Sequence, residues 1–172
     1  MLVTGGVRSG KSTHAERLLG SDSPVLYVAP GTREGSADWD EDWAARVAAH
    51  RARRPEAWQT VETTDVAGAV RGTEGDVLVD CLGTWLTATC DEIGWDDPDL
   101  AGLVAARTDD LVAAVGAAEG LVVLVTNEVG LGVVPEHRSG RLFRDLLGTV
   151  NQALGRTCDE VHLVVAGRVL RI

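Results

Sequence analysis

The stretch that decides the fold is Gly5-Gly6-Val7-Arg8-Ser9-Gly10-Lys11-Ser12, near the start of a chain of 172 residues. It fits the phosphate-binding pattern G-x-x-x-x-G-K-[ST], the P-loop, in which glycines let backbone N–H groups point at phosphate oxygens. Lys11 is the one lysine among 16 Lys and Arg residues. A chain that otherwise uses arginine has lysine where a compact ammonium must fit between phosphates. We therefore interpret the stretch as a nucleotide phosphate site with Lys11 as a catalytic residue.

The residues on either side of the P-loop provide the context that the pattern requires, a strand before it and a helix after it. Leu2-Val3-Thr4 is an apolar run that predicts the end of a buried strand. Residues Ser12 to Leu19 predict a helix that Gly20 ends, and the helix N-terminus favours an anion. On the pattern alone, a glycine-rich turn without a ligand stays an alternative.

A P-loop usually works with an acidic residue at the end of another strand, which holds a metal ion or its water. Val77-Leu78-Val79-Asp80 is an apolar run that ends in a carboxylate. We predict that the Asp80 carboxylate and the Ser12 hydroxyl hold Mg²⁺. The alternative is an acidic residue that only marks where the chain leaves the sheet.

Composition narrows the class of protein. The length favours one domain covering residues 1–172, and the net charge of −10 argues against a general nucleic-acid binder. The three cysteines, Cys81, Cys90 and Cys158, lack C-x-x-C spacing, which indicates reduced thiols and no zinc site. The first strand starts next to Met1 and every apolar run is of strand length. We therefore expect no signal peptide, no membrane span and a cytoplasmic protein.

Apolar runs alternate with helical stretches along the whole chain. The predicted strands are Leu2–Thr4, Val25–Ala29, Val77–Cys81, Leu121–Thr126, Val161–Ala166 and a final hairpin strand, Val169–Ile172. The predicted helices are Ser12–Leu19, Asp40–Arg54, Leu100–Ala118 and Gly140–Gly155. This alternation predicts an α/β domain with a mostly parallel central sheet flanked by helices. Its ligands bind beyond the carboxyl ends of the strands, where we expect the P-loop, Asp80 and Asn127-Glu128.

A second chemical centre is predicted where four arginines surround a histidine, in the stretch Arg46-Val47-Ala48-Ala49-His50-Arg51-Ala52-Arg53-Arg54-Pro55. Like charges at helical spacing need an anionic partner. Arginines bind phosphate oxygens in fork geometry and favour a neutral imidazole, which can attack phosphorus. A surface helix with a solvated basic face and an ordinary histidine is the alternative. His14, in the P-loop helix, and His162, in a strand, are expected to lie outside the chemistry.

Several stretches together carry a resemblance to a known family. They are Val3 to Ser12, Leu26-Tyr27-Val28-Ala29, His50 to Pro55 with Trp58 and Glu62, Val79-Asp80-Cys81-Leu82, Trp85-Leu86-Thr87, Val125 to Pro135, Phe143-Arg144-Asp145, Asn151-Gln152 and Asp159-Glu160-Val161. In these stretches, which span almost its whole length, the chain resembles the bifunctional adenosylcobinamide kinase / adenosylcobinamide-phosphate guanylyltransferase family of cobalamin biosynthesis. One departure is Ala88, where asparagine is expected after Thr87.

The resemblance implies a RecA-like P-loop fold, a homotrimer and two activities. The first phosphorylates the aminopropanol hydroxyl of adenosylcobinamide with ATP or GTP. The second transfers GMP from GTP to that phosphate through a covalent guanylyl-histidine, matched here by His50, and releases pyrophosphate. By the same resemblance, the nucleotide contacts are Gly5, Gly6, Val7, Arg8, Ser9, Gly10, Lys11, Ser12, Pro30, Gly31, Thr32, Arg51, Ala52, Arg53, Arg54, Glu62 and Asp80.

Two other functions stay open at this point. A plain P-loop small-molecule kinase would transfer phosphate and form no covalent GMP adduct. A nucleotide-sensing module would bind GTP with negligible turnover and dock on a partner through an exposed apolar patch.

Overall fold

A computed structural model describes residues 1–20, 23–31 and 54–172, together with residues 41, 44, 45 and 48. The strands in this part of the chain are β1 (Leu2–Gly5), β2 (Val25–Ala29), β3 (Gln59–Glu62), β4 (Asp76–Asp80), β5 (Val122–Val125), β6 (Val161–Val165) and β7 (Arg168–Arg171). The helices are α1 (Lys11–Leu19), α2 (Val66–Arg71), α3 (Leu82–Ile93), α4 (Leu100–Ala117) and α5 (Arg138–Thr157).

The strands form one seven-stranded sheet in the order β3-β2-β4-β5-β1-β6-β7. Every neighbouring pair is parallel except β6 and β7, which form an antiparallel hairpin. The P-loop strand β1 lies at the interior of the sheet, between β5 and β6. One strand, β5, separates β1 from β4, the strand that ends at Asp80. The fold is therefore α/β with a mostly parallel sheet, as the alternating pattern predicts.

Both faces of the sheet are covered by helices, and its interior strands are mostly apolar and buried. Strand β5 has four consecutive buried residues, as a strand covered on two sides requires. Helices α2 to α5 cover one face with a core that includes Leu86, Leu111 and Leu147. On the other face, Ala15 and Leu19 of α1 pack in a core with the inner side chains of the strands. Burying one leucine stabilises the fold by roughly 1.5–3 kcal/mol, so these cores fix the position of α1 behind the P-loop.

The predicted helix at residues 12–19, the two later helices and the C-terminal hairpin are all confirmed within about two residues, the usual scatter of helix ends. Three elements were missed. Strand β3 is mostly exposed and polar, so it has no apolar run. Helix α2 has six residues, and α3 starts directly after β4 without a Ser, Asp or Asn cap. Of the predicted helix Asp40–Arg54, residues 41, 44, 45 and 48 are helical, and most of the remainder lies outside the described residues.

In the described part of the chain, no helix has both the length and the apolar content needed to cross a lipid bilayer.

Gly5 ends β1 at a point where the backbone of another strand leaves no space for a side chain. A Cβ atom there would lie against the carbonyl oxygen of Val164 and 2.7 Å from the Ser9 hydroxyl oxygen. At Gly6, by contrast, a Cβ atom would meet nothing within 4 Å. Of these two adjacent glycines, packing therefore requires Gly5 and leaves space for a side chain at Gly6.

We predict that Gly5→Ala lowers the free energy of unfolding by about 1–3 kcal/mol, because overpacking against a backbone carbonyl must move β1 or β6. Urea unfolding followed by circular dichroism measures this change. Gly6→Ala is the matched control and should change the free energy of unfolding by less than about 0.5 kcal/mol. Equal stabilities of the two variants would contradict the close approach of β1 to β6 at Gly5.

Candidate active site

The P-loop forms a tight turn between β1 and α1. Gly10 has a φ of 97°, and Arg8, which is not a glycine, has a φ of 55°. The backbone N–H of Ser9 donates to the Gly6 carbonyl at 3.3 Å. A left-handed conformation at a residue with a side chain costs energy and is concentrated at functional sites. The strained turn therefore supports a binding role for this loop.

Lys11 lies across this turn and is nearly buried, with 9% of its surface exposed. Its Nζ atom donates to the carbonyl of Gly6 at 3.2 Å. The Ser9 hydroxyl oxygen is also buried and has no hydrogen-bond partner among the described residues. A buried polar atom without a partner is costly unless a ligand or water satisfies it. The cradle thus has both a cation and an unsatisfied hydroxyl at the helix N-terminus, which suits an anion.

Two neighbouring segments hold the P-loop in place. The turn between β6 and β7 donates the N–H of Gly167 to the carbonyl of Ser9 at 2.9 Å, and Gly167 has a φ of 75°. After β5, the N–H of Glu128 donates to the carbonyl of Gly5 at 3.1 Å. The predicted meeting of the P-loop and Asn127-Glu128 at one sheet edge is confirmed. The contact from Gly167 was not predicted, since the sequence indicates the hairpin turn but not the segment that the turn packs against.

A second group of side chains lies at the same edge, where β2 and β4 end. The hydroxyl of Tyr27 donates to the Asp80 carboxylate at 3.1 Å. The guanidinium carbon of Arg54 lies 3.3 Å from the centroid of the Tyr27 ring, a cation–π contact, and Arg54 Nη1 donates to the Thr60 hydroxyl at 3.0 Å. Arg54 Nε is buried without a partner among the described residues. The structure thus brings Arg54 and Asp80, which are 26 positions apart in sequence, into contact with the same tyrosine, one at its ring face and the other at its hydroxyl.

Tyr27 was missed as a functional residue, because in sequence it is one member of an apolar strand. Burial and the Asp80 carboxylate raise the pKa of Tyr27 well above its ordinary value, and the Arg54 charge only partly offsets them. The phenol therefore stays protonated and keeps donating to Asp80. A lone aromatic residue in a strand pattern gives no signal of this role.

The oxygens predicted to hold a metal ion belong to Ser12 and Asp80. Helix α1 packs against β4 and β5, which directs its first residues toward the end of the Asp80 strand. Burial and the Asp80 charge raise the pKa of the Cys81 thiol, which follows Asp80 in the chain. The Lys11 ammonium lowers this pKa, so Lys11 is close enough to Cys81 for their charges to interact. The described residues contain no group of three or more His, Cys, Asp or Glu side chains that could hold a metal. The hydroxyl of Ser12 and the carboxylate of Asp80 suit Mg²⁺, which usually takes few protein ligands and completes its shell with phosphates and water.

The other predicted nucleotide contacts fall into two groups. Pro30 is buried directly after β2, Gly31 is half-buried, and Glu62 is exposed at the end of β3, in register with Ala29. Val7 is exposed in the P-loop. The remaining predicted residues lie outside the described part of the chain: Thr32, His50, Arg51, Ala52 and Arg53.

Two histidines that we expected to be uninvolved form a hydrogen-bonded chain behind the P-loop. His14 Nε2 lies 2.8 Å from His162 Nδ1, and His162 Nε2 lies 2.9 Å from the Glu160 carboxylate. Because a carboxylate only accepts, His162 Nε2 donates to Glu160. One of the two facing nitrogens, His14 Nε2 or His162 Nδ1, donates the proton of the bond between the rings. This chain ties α1 to β6, an interior strand of the sheet in which His162 is buried.

We predict that acid weakens the fold through His14. Burial, followed by the charges of His162, Arg17 and Arg171, lowers the pKa of His14 below its ordinary value of 6.5. As the pH falls through that value, the unfolded chain therefore binds a proton that the folded chain refuses, and the free energy of unfolding decreases. Urea unfolding between about pH 7.5 and about pH 5.5 should show this decrease. His14→Gln should make the dependence shallower, and an unchanged slope in that variant would contradict the role of His14.

A family model described as cobinamide kinase / cobinamide phosphate guanyltransferase matches residues 1–172. The chain belongs to the cobinamide kinase / cobinamide phosphate guanyltransferase family. The family predicted from the sequence motifs is thus confirmed, as is the P-loop α/β fold that goes with it.

Three relatives align with the chain over nearly their full length. The bifunctional adenosylcobalamin biosynthesis protein CobU of Escherichia coli is 43% identical over 183 residues, covering 100% of this chain and 98% of that protein. The protein of the same name from Salmonella typhimurium is 42% identical, with the same coverage. The bifunctional adenosylcobalamin biosynthesis protein CobP of Pseudomonas aeruginosa is 38% identical over 96% of this chain and 92% of that protein.

Proposed function

We propose that the chain phosphorylates the aminopropanol hydroxyl of adenosylcobinamide and then transfers GMP from GTP to the new phosphate, giving adenosylcobinamide-GDP. The observation that carries this proposal is the match of the whole chain to a cobinamide kinase / cobinamide phosphate guanyltransferase family. The described geometry supports it, because a strained P-loop with a nearly buried lysine lies at one sheet edge with Asp80 and Arg54. The relatives, named as bifunctional, align from end to end.

For the kinase step, we assign the phosphates of ATP or GTP to the backbone N–H groups of residues 5–12 and to Lys11. The Lys11 ammonium leaves the carbonyl of Gly6 and donates to phosphate oxygens instead. Ser12 and Asp80 would hold Mg²⁺, which would offset negative charge on the phosphate oxygens. Tyr27 keeps Asp80 in place by its hydrogen bond. The hydroxyl oxygen of the cobinamide arm attacks the terminal phosphorus, the bond to the bridging oxygen breaks to release ADP or GDP, and the hydroxyl proton passes to water.

For the transfer step, we assign the nucleophile to His50. Its imidazole nitrogen forms a bond to the α-phosphorus of GTP as the bond to pyrophosphate breaks. A phosphate oxygen of cobinamide phosphate then attacks the same phosphorus and releases His50. Arg51, Arg53 and Arg54 bind the phosphate oxygens, and Ala52, Pro30, Gly31, Thr32 and Glu62 complete the nucleotide site. Arg54 supports this assignment, because a guanidinium stacked on Tyr27 with an unsatisfied buried Nε is suited to an anion.

The proposal extends to the organisation of the protein. Residues 1–172 form one domain, three chains assemble into a homotrimer, and the enzyme works in the cytoplasm with small-molecule substrates. Its alignment with whole biosynthetic enzymes over nearly their full length supports a single domain.

The covalent step is tested by the intact mass of the protein after incubation with Mg²⁺ and GTP and a quench at alkaline pH, where a phosphoramidate survives. We expect a gain of one guanylyl unit that is lost in His50→Ala and kept in His137→Ala. His137 is the matched control because it is an exposed histidine whose side chain makes no cap hydrogen bond at the start of α5.

Adding cobinamide phosphate to the guanylylated protein should remove the adduct and yield cobinamide-GDP. An adduct that persists in His50→Ala would contradict the assignment of the nucleophile. Phosphorylation of cobinamide with no adduct on any variant would favour a plain small-molecule kinase.

A further inference from the structure

The loop between β5 and α5, residues 126–137, starts beside the P-loop. Its backbone is joined to the P-loop strand at two points: Thr126 N–H donates to the carbonyl of Val3 at 2.9 Å, and Glu128 N–H donates to the carbonyl of Gly5 at 3.1 Å. The loop therefore leaves the sheet at the edge where the P-loop binds phosphate. The proposed chemistry gives this loop no role.

Hydrogen bonds from α5 and from within the loop hold its backbone. Asn151 Nδ2 donates to the carbonyl of Asn127 at 3.0 Å, and Arg144 Nη2 donates to the carbonyl of Gly130 at 3.0 Å. The Glu128 carboxylate accepts the N–H of Gly130 at 3.0 Å, and Arg141 Nη1 donates to the carbonyl of Pro135 at 3.2 Å. A loop fixed in this way loses little conformational entropy when it binds a ligand.

Three side chains of this fixed loop are large, apolar and exposed to solvent. Leu131 is 86% exposed, Val133 is 95% exposed and Val134 is 56% exposed. Val7, in the P-loop itself, is 72% exposed. Scattered exposed apolar residues are ordinary, but three within four positions on a held loop beside a reaction site indicate a binding surface.

We propose that Leu131, Val133 and Val134 of this loop bind the corrinoid ring of the acceptor substrate. The inference rests on the proposed function, since that function fixes where the reacting hydroxyl must lie. The hydroxyl is on a short arm of the ring and must reach the terminal phosphate in the P-loop. The ring therefore lies over residues that flank the P-loop, and its rim of methyl groups and methylene-bearing amide side chains matches aliphatic side chains.

A second copy of the chain is the other possible occupant of this apolar surface. A copy that covered the loop beside the P-loop would stand in the path of the corrinoid arm to the terminal phosphate. The corrinoid is the occupant that we therefore test.

The test is the double variant Leu131→Ser/Val133→Ser, compared with Ile172→Ser. Ile172 is also an exposed aliphatic residue, 76% exposed, but its N–H bonds the carbonyl of Val161 at the opposite edge of the sheet. Initial kinase rates are measured over a range of cobinamide concentrations and, separately, of ATP concentrations. Equilibrium dialysis of cobinamide against each variant, with a non-hydrolysable ATP analogue present, measures binding directly.

We expect the double variant to raise the KM and the dissociation constant for cobinamide by roughly tenfold or more, from the lost burial of two aliphatic side chains. The KM for ATP should stay unchanged, which also shows that the variant folds. Ile172→Ser should leave all these constants unchanged. Unaltered cobinamide constants in the double variant would overturn the inference while leaving the proposed function intact.

Sedimentation velocity distinguishes the other occupant. A double variant that dissociates into smaller species than the unaltered protein would assign the loop to contact between copies and overturn the corrinoid assignment. Unaltered protein that binds nucleotide but phosphorylates no cobinamide would overturn the proposed function, and the corrinoid assignment with it.

Discussion

The close approach of β1 to β6 at Gly5 is the constraint on which the rest of the structure depends. A residue without a side chain lets the end of β1 lie against the carbonyl of Val164. From that point the chain must turn within a few residues into α1, and the left-handed conformation of Gly10 makes this turn possible. The turn sets the helix N-terminus, and with it Lys11, at the carboxyl edge of the sheet. The phosphate cradle is thus a consequence of how tightly β1 packs.

The sheet order explains how distant residues reach the cradle. Strand β5 lies between β1 and β4, so α1 crosses toward the strand that ends at Asp80. Strand β2 lies on the other side of β4 and places Tyr27 against that carboxylate. Arg54 then stacks on the tyrosine ring. Tyr27 therefore contacts both Arg54, which we propose serves guanylyl transfer, and Asp80, which we propose serves phosphorylation. This shared contact indicates that both reactions use a nucleotide bound at the same edge of the sheet.

Sequence reasoning predicted the parts of the site that have a local pattern. The glycines and lysine of the P-loop occur at fixed spacing, and an apolar run ending in Asp80 marks the end of a buried strand. The same reasoning could not predict Tyr27, because its role depends on β2 and β4 becoming neighbours. The chain of His14, His162 and Glu160 was missed for the same reason, since its members lie on α1 and at β6 and meet only in the folded sheet. Strand β3, short and polar, forms because β2 offers it an edge rather than because its own residues favour a strand.

We propose that the turn from Gly5 to Ser12 binds the nucleotide phosphates with Lys11. A crystal structure of the protein with Mg²⁺ and the non-hydrolysable analogue β,γ-imido-GTP tests it most directly. We predict that the terminal phosphates lie within hydrogen-bond distance of the Lys11 Nζ atom and of the loop N–H groups. Nζ should no longer bond the Gly6 carbonyl. Phosphates bound elsewhere, with Lys11 still bonded to Gly6, would contradict the account.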